Sequence, residues 1–473
     1  MLRLDGPLWI TRAPGSVDVL GGPGEQPGSV SMTMAIGRAV YCAIQNRQDK
    51  KIRIRILRPA SKGGTLEWAG DVPTIYTKKG PPRSQAVLEA QFEEDEAPWM
   101  LEMVAWMIGL RRTHQLNTPK QGFDLVVWDH LPDSPGFGED GAFSTAISLA
   151  MKASTGLDKK RVDGIRVARA IRHGAEEVLA WRLPFMEILT AGVGQRGCLV
   201  SIEHGVDPIM QWVPVPEHVV LATVDVGVEY ACDPQDRLRA ATGAAMALEH
   251  LNAGLRKAKV SQRGGWGQVT PAEFEGGLRD HVPAKESGAD WLKTYKRIAD
   301  EKVSVEVDAE GSYRLRALAE HHVRESGRAR RFVQQLQDYA RTKREDFLAE
   351  AGRALNSSHR SLREKCSIQS EEVDALLAKI NKAGRKAGLF GGRMCEGGAG
   401  SAIVVLAHLS ALDRLREIVL EHTSKSAAGG AVMSDIGQGG VLSGWWEGVL
   451  EVAEENSDGD SDDPSDSSSG AKS

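Results

Sequence analysis

A glycine-rich loop leads into a predicted helix near residue 140, and this arrangement could bind a negatively charged group. The stretch Leu131–Ala146 has the sequence LPDSPGFGEDGAFSTA and follows a predicted strand at Phe123–Trp128. A helix that begins after such a loop leaves its first backbone N–H groups unpaired at the positive end of the helix dipole, which suits phosphate. The chain could also satisfy that end itself, because Asp140 is a good N-cap residue and Glu139 is a neighbouring acid.

Two more glycine-rich segments could belong to the same kind of site. One is RAPGSVDVLGG at Arg12–Gly22, and the other is GGRMCEGGAGSA at Gly391–Ala402. Each segment taken singly is more typical of a turn than of a ligand site. The common signatures GxxxxGK[ST], HExxH, GxSxG and DxDxDG do not occur in the sequence, and the glycines at Gly22–Gly28 have the wrong spacing for a dinucleotide fingerprint.

The elements that would position these segments are strands and helices without a regular βαβ alternation. Hydrophobic patterning predicts strands at Ala39–Gln45, Lys51–Leu57, Phe123–Trp128, Gly197–Ile202 and Val219–Val226. It predicts helices at Ala142–Ser154, Val162–Trp181, Ala241–Leu255 and Leu409–His422, and a long helical region from Tyr313 to about Arg385 with a break near Asn356. This mixture indicates an α+β fold.

Composition and charge exclude several classes of protein. The 473 residues exceed one typical domain, and 41% of them are apolar, so a large core can form. No apolar run is long enough for a transmembrane helix, and the N-terminus has no secretory signal. Five scattered cysteines without metal-ligand spacing favour a reducing, cytoplasmic setting.

The net charge of −5 is concentrated at the C-terminus. From Glu454 onward there are seven acidic residues and one lysine, which leaves the rest of the chain near +1. We therefore expect no nucleic-acid partner and no membrane partner. Residues 451–473 are acidic, rich in serine and without apolar periodicity, so we expect a disordered acidic tail.

The order and content of the three glycine-rich segments resemble the GHMP kinase superfamily, and galactokinases and L-arabinokinases within it most of all. APGSVDVLGG is similar to the first family motif, Leu131–Ala146 to the second, phosphate-binding motif, and Gly391–Ala402 to the third. The stretch Asn356–Arg363 is similar to the family segment that precedes the third motif. The stretch Pro184–Glu187 is similar to the segment that carries the catalytic aspartate.

The resemblance implies a two-domain fold and a substrate class. An N-terminal domain like domain 2 of ribosomal protein S5 would span residues 1–215, and a ferredoxin-like C-terminal domain would span residues 216–450. ATP, with Mg²⁺, and a monosaccharide would meet in the cleft between them. The oligomeric state is left open.

The resemblance also assigns roles to individual residues. The catalytic positions correspond to Glu187 and Ser16. The nucleotide-binding positions correspond to Pro135, Gly136, Gly138, Glu139, Asp140, Gly141, Ser144, Gly397 and Gly398. The substrate-binding positions correspond to Asp18, Glu25, Asp225 and Tyr230. The metal-binding positions correspond to Glu139, Asp140 and Glu176, although Glu176 could equally lie on a solvated helix face.

Several of these positions depart from the family pattern. Glu187 stands where the family has aspartate, and Ser16 stands where it has arginine. In an ungapped alignment Gly138, Glu139 and Asp140 replace three serines; an alternative with one gap would instead place Ser144 and Thr145 there. Two carboxylates beside a polyphosphate repel it, unless a bridging Mg²⁺ converts them into metal ligands.

Two functions therefore remain open from the sequence. One is an ATP-dependent sugar kinase that transfers the γ-phosphoryl group to a monosaccharide hydroxyl, with Glu187 as base or orienting group. The other is a catalytically impaired protein of the same fold that binds a ligand or a partner. Another reaction on this scaffold, such as decarboxylation or phosphorylation of an alcohol that is not a sugar, is a third possibility.

Overall fold

The computed structural model describes most of the chain, and its gaps are short except at the C-terminus. The described residues are 2–3, 6–21, 28–78, 80–134, 136–155, 163–179, 184–204, 209–228, 232–296, 298, 307–395, 401–424, 431–433 and 446–448. The predicted acidic tail at 451–473 lies outside them. Within the described part, no helix is both long enough and apolar enough to cross a membrane.

The secondary structure is a mixture of α-helices and β-strands. The strands are β1 Leu8–Leu20, β2 Val30–Asn46, β3 Lys51–Leu57, β4 Leu66–Asp71, β5 Phe123–Asp129, β6 Cys198–Glu203, β7 Ile209–Pro214, β8 Val219–Asp225, β9 Glu286–Ser287, β10 Ser312–Tyr313, β11 Leu389–Met394, β12 Ala402–His408, β13 Ala431–Met433 and β14 Trp446–Gly448. The helices are α1 Val72–Ile75, α2 Gln85–Glu94, α3 Met100–Arg112, α4 Glu139–Ser154, α5 Gly164–Leu179, α6 Phe185–Val193, α7 Pro234–Lys257, α8 Pro271–Glu275, α9 Gly288–Tyr295, α10 Leu315–Thr342, α11 Glu345–Ser361, α12 Glu371–Ala383 and α13 Leu412–Thr423.

The strands form two main sheets. The larger sheet has the order β14-β1-β2-β5-β3-β4, and β6 and β7 extend it from β2. Its strands pair antiparallel except for β3 and β5, which are parallel. The smaller sheet has the order β11-β12-β8-β13 and is antiparallel throughout. The predicted α+β class is confirmed.

Alternating sequence explains why one face of the larger sheet carries helices. In β3 the isoleucines Ile52, Ile54 and Ile56 are buried, whereas the lysine and arginines between them point to the other face. Successive side chains of a strand point to opposite faces, so a KIRIRIL pattern buries one side only. Helices α3, α4, α5 and α6 cover that buried side.

The long helical region differs from its prediction in where it breaks. It divides into α10, α11 and α12, and Asn356 lies inside α11 rather than at a break. Helix α10 ends because Lys343 adopts a left-handed conformation, with φ of 58°, as its C-cap. The Asn356 side chain accepts a hydrogen bond from the Gly392 amide at 3.1 Å, so this polar residue joins α11 to β11.

The two sheets share one apolar cluster, so the predicted domains are packed together. Val17, Val19 and Met32 from the larger sheet lie in the same cluster as Leu221 and Val404 from the smaller one. In addition, β14 pairs with β1, with Glu447 opposite Trp9. A segment predicted to belong to residues 216–450 therefore returns to the N-terminal sheet.

Candidate active site at the start of α4

The first two glycine-rich segments meet directly. The Ser16 amide on β1 donates a hydrogen bond to the Phe137 carbonyl at 2.8 Å. Gly138 adopts φ of +72°, and a Cβ atom there would lie 2.4 Å from the Ser16 Oγ. Glycine is required at this position by both the left-handed conformation and the close approach. Ser16, which the family resemblance assigns to a catalytic position, is thus held against the loop.

Glu187 lies against the first turn of α4. It belongs to the first turn of α6, and its side chain is buried. A Cβ atom on Gly141 would lie 2.6–2.8 Å from the backbone carbonyl and the Cβ of Glu187. Since no larger residue fits between the two helices, Gly141 sets their separation. The structure therefore brings Ser16, Gly138, Gly141 and Glu187 together.

Glu139 satisfies part of the helix end from within the chain. One of its carboxylate oxygens accepts hydrogen bonds from the Gly136 and Phe137 amides at 3.4 and 3.3 Å. Its other oxygen, Oε1, is buried and has no hydrogen-bond partner among the described residues. Burial raises the pKa of this carboxyl group.

The prediction of Asp140 as N-cap is wrong, because α4 begins at Glu139 and its N-cap is Gly138.

A cavity of about 420 Å³ opens beside Glu139 and Asp140. One part of its wall is apolar and aromatic, and the other part is charged. The apolar lining consists of Ile56, Leu66, Trp99, Met103, Trp106, Phe143 and Ile147. The charged lining consists of Arg58, Lys62, Glu102, Asp129, Asp133, Glu139 and Asp140. A pocket that is lined by both aromatic and charged side chains fits a ligand with an aromatic part and an ionic part.

The charged part of this cavity contains both signs. Burial, followed by the nearby charge of Glu102, raises the pKa of Asp140 to about 6. The Lys62 ammonium lies 3.1 Å from the Asp129 carboxylate, and Arg58 also lines the wall. Acidic and basic groups are therefore both within reach of a polyphosphate and its counterion.

The carboxylates fit a role as Mg²⁺ ligands. No cluster of three or more His, Cys, Asp or Glu side chains that could hold a metal occurs within the described ranges. Mg²⁺ in nucleotide sites is, however, commonly held by only one or two carboxylates together with substrate phosphates and water. The unpartnered, buried Oε1 of Glu139 and the adjacent Asp140 meet that requirement.

Asp18 joins the first and third glycine-rich segments. Its carboxylate lies 2.7 Å from the Arg393 guanidinium, and both side chains are inaccessible to solvent. Asp225, at the end of β8, accepts hydrogen bonds from the Gly227 amide at 2.9 Å and from the Ser401 hydroxyl. Both aspartates thus lie beside the third segment, and their predicted contact with substrate stays a prediction.

Other predicted site residues lie apart from this arrangement. The Ser144 hydroxyl donates to the Asp140 carbonyl at 2.6 Å inside α4, and Ser144 does not line the cavity, so its predicted contact with the nucleotide stays a prediction. Glu176 is paired with Arg172 at 3.1 Å on α5 and does not line the cavity, so the structure gives no support to its predicted metal role. The predicted positions outside the described residues are Glu25, Pro135, Tyr230, Gly397 and Gly398.

Sequence reasoning missed several residues of the cavity and its surroundings. Arg58 and Lys62 follow β3, Trp99 is the N-cap of α3, and Trp106 lies within that helix. Their only signal in the sequence is aromatic and basic character near predicted elements, without a fixed spacing to the glycine-rich segments. Arg393 lies inside the third segment, but its partner Asp18 is 375 residues away.

The chain is similar in sequence to known kinases. The family model described as GHMP kinases C terminal matches residues 344–425. A galactokinase of Thermotoga maritima is 32% identical over 301 residues, which cover 64% of this chain and 70% of that protein. An L-arabinokinase of Arabidopsis thaliana is 22% identical over 475 residues, which cover 89% of this chain. This chain spans only 45% of the arabinokinase.

Solved structures show the same fold. A galactokinase of Lactococcus lactis complexed with galactose has a TM-score of 0.66 and 15% identity, and the match covers 94% of this chain and 95% of that chain. A mevalonate kinase has a TM-score of 0.52 over 91% of this chain. Fold and site together define a small-molecule kinase architecture. The chain belongs to the GHMP kinase family, and the predicted two-domain fold of that family is confirmed.

Proposed function

We propose that this protein transfers the γ-phosphoryl group of ATP to a hydroxyl group of a monosaccharide. The observation that carries the proposal is the convergence of Ser16, Gly138, Gly141 and Glu187 at the start of α4, beside a cavity with an aromatic and a charged part. The relatives named above are sugar kinases by name, which supports the same substrate class. The comparisons give no support to a non-catalytic alternative.

The cavity would hold the nucleotide. Its aromatic part, with Trp99 and Trp106, suits the adenine ring, because flat apolar surfaces stack on aromatic side chains. Lys62 and Arg58 would face the phosphates and offset their charge. The Phe137 and Gly136 amides now bonded to Glu139 are the natural donors to a phosphate oxygen, provided that the Glu139 carboxylate rotates towards a metal ion.

The two carboxylates at the start of α4 would hold Mg²⁺ with the nucleotide. Bound there, Mg²⁺ supplies neutralisation of the charge that builds up on the phosphate oxygens. The raised pKa values of Glu139 and Asp140 follow from burial without such a cation. A cation would favour the ionised forms, so metal binding and proton release are coupled.

Glu187 would orient the acceptor hydroxyl and take up its proton. Glu187 lies in the first turn of α6 and packs against Gly141, which is the residue after Asp140 in α4. Phosphoryl transfer depends mainly on positioning and electrostatics, and a carboxylate at this place supplies both. The predicted cytoplasmic location stays a prediction.

The direct test is calorimetry with ATP in the presence of Mg²⁺, followed by ADP detection with a panel of sugars that includes galactose and L-arabinose. We expect Mg²⁺-dependent ATP binding and ADP release with at least one sugar. Lys62→Gln should weaken ATP binding about tenfold by removing one charge-assisted contact. The matched control Lys386→Gln is exposed and outside the cavity and should bind ATP as the unaltered protein does. Absence of ATP binding, or an ATP affinity that is unchanged in Lys62→Gln, would contradict the proposal.

A further inference from the structure

A second cavity, of about 330 Å³, lies between α10 and α11 and is separate from the nucleotide cavity. We name it the arginine groove. Its lining residues are Pro271, Arg324, Arg328, Arg331, Phe332, Gln335, Glu350, Arg353, Ala354 and Ser357. No residue lines both cavities, so the groove needs an explanation of its own.

The spacing of the groove residues shows that it follows one face of each helix. Arg324, Arg328 and Arg331 recur at intervals of four and three along α10, which places them on one side of that helix. Arg353 extends from the facing helix, α11. The groove thus presents four guanidinium groups, and Glu350 is its one acidic lining residue among those described.

The charges of three of these arginines are offset, and that of the fourth is not. Arg324 lies 2.8 Å from Glu275, Arg328 lies 2.6 Å from Glu325, and Arg353 pairs with Glu350. Arg331 makes no ion pair with any residue that the structure describes. One positive charge among the groove arginines, that of the exposed Arg331, therefore has no ion-pair partner among the described residues.

The floor of the groove contains hydrogen-bonding groups that the protein itself does not use. The Arg328 side chain is only 11% exposed, and its Nη2 is buried without a hydrogen-bond partner among the described residues. The Gln335 Oε1 is also buried and has no hydrogen-bond partner among the described residues. Unsatisfied groups of this kind are rare in proteins, and a bound ligand is one reason for them. Phe332, which also borders the groove, is fully buried in the apolar core beneath it.

We propose that the arginine groove binds the phosphate group of a small phosphomonoester. Guanidinium groups recognise phosphate oxygens through paired, charge-assisted hydrogen bonds, and here two helices supply them from both sides. Arg331, Arg353 and the free Nη2 of Arg328 would hold the phosphate. The Gln335 Oε1 would accept a hydrogen bond from a hydroxyl group of the esterified part.

The groove is also connected to β1 of the active site. The Glu325 carboxylate that pairs with Arg328 accepts a hydrogen bond from the Gly21 amide at 3.1 Å and another from the Ser358 hydroxyl. Gly21 immediately follows β1, which carries Ser16 and Asp18. A ligand held by Arg328 thus contacts a chain of polar groups that ends beside the catalytic strand.

The test is calorimetry on the full chain with two probes, inorganic phosphate and galactose 1-phosphate. We expect the ester to bind more tightly than phosphate alone, and Arg331→Gln and Arg353→Gln each to weaken it about tenfold, as expected for the loss of one charge-assisted hydrogen-bonding group. Arg341→Gln lies on the same helix outside the groove and should leave the affinity unchanged. Lys62→Gln, in the nucleotide cavity, should also leave it unchanged.

Each alternative result overturns part or all of this inference. Absence of binding by both probes would show that the arginines are only a network of surface ion pairs. Binding that survives both Arg331→Gln and Arg353→Gln, or that is lost in Lys62→Gln, would place the ligand elsewhere. Equal affinity for phosphate and for the ester would overturn the assignment to a phosphomonoester. ATP binding is measured in its own titration, and neither Arg331 nor Arg353 lines the nucleotide cavity, so failure of the groove proposal leaves the proposed kinase function standing.

Discussion

At the scale of single residues, Glu187 is the clearest candidate for chemistry. We predict that Glu187→Gln lowers turnover by roughly 10²–10⁴-fold, because the amide keeps the shape but cannot accept the proton of the acceptor hydroxyl. ATP affinity should stay within about twofold in calorimetry, since Glu187 does not line the nucleotide cavity. Glu176→Gln, at an exposed position of α5, is the matched control and should keep full turnover. Full turnover in Glu187→Gln would remove this residue from the mechanism.

Asp140 provides a test based on pH. Its pKa is about 6 in the folded protein, against an ordinary value near 3.8, so the folded state binds more protons than the unfolded state between those values. Stability must therefore fall as the pH rises from about 4 to about 6. The side chain in Asp140→Asn cannot ionise. The melting temperature of this variant minus that of the unaltered protein should therefore increase by roughly 2 °C between pH 4 and pH 6. Thermal melts at pH 4–7 measure the difference.

The same carboxylate should link pH to metal binding, and the two observations must agree. Mg²⁺ binds the ionised form, so the Mg²⁺-dependent affinity for ATP should rise as the pH passes 6. In Asp140→Asn that dependence should be weaker, with the remainder due to Glu139, whose pKa is also raised. A melting-temperature difference that stays constant with pH would show that folding does not raise the pKa of Asp140.

At the scale of elements, the contact between α4 and α6 depends on the absence of a side chain at Gly141. Any Cβ atom there would lie within 2.8 Å of the Glu187 backbone, so Gly141→Ala must push α6 away and move the catalytic carboxylate. We predict a loss of about 1–3 kcal/mol in the free energy of unfolding and a loss of turnover of at least tenfold. Denaturant unfolding and ADP release measure the two effects.

The chain offers a matched control for that substitution. Gly327 lies inside α10, and its nearest neighbour to an added Cβ is the Pro271 Cγ at 3.5 Å, an ordinary contact. Gly327→Ala should therefore stabilise the protein by up to about 1 kcal/mol, because alanine favours a helix over glycine. Equal effects of the two substitutions would show that the α4–α6 contact does not constrain the site.

Elements defined by local patterning were predictable from the sequence, and contacts over long separations were not. Strand Lys51–Leu57 was predicted with its observed bounds, because its alternation is strict. The helix break placed near Asn356 was wrong, because that side chain bonds across to β11, which local patterning does not reveal. The meeting of Ser16 with Gly138 followed only from the family resemblance. The arginine groove was not predicted, because it combines stripes from two separate helices with Pro271.

At the scale of the whole molecule, the two sheets are joined through a shared apolar interior. Val17 and Met32 of the larger sheet share an apolar cluster with Leu221 and Val404 of the smaller one. The Asp18–Arg393 pair crosses the same interface. Because neither sheet buries this surface alone, we expect one cooperative unfolding transition rather than two.

Asp18→Asn tests how far that interface depends on a single buried charge pair. The substitution leaves the Arg393 guanidinium inaccessible to solvent and without its carboxylate partner, and breaking such a pair costs about 3–5 kcal/mol. We predict that loss in denaturant unfolding, together with lower sugar-dependent turnover, because β1 carries Ser16 as well. Asp413→Asn is the control: Asp413 pairs with Arg416 but is 90% exposed, and surface pairs contribute at most about 1 kcal/mol. If Asp18→Asn unfolds like the control, the pair does not hold the two sheets together. If stability falls but turnover per folded molecule is unchanged, Asp18 is a structural residue and its predicted substrate contact is wrong.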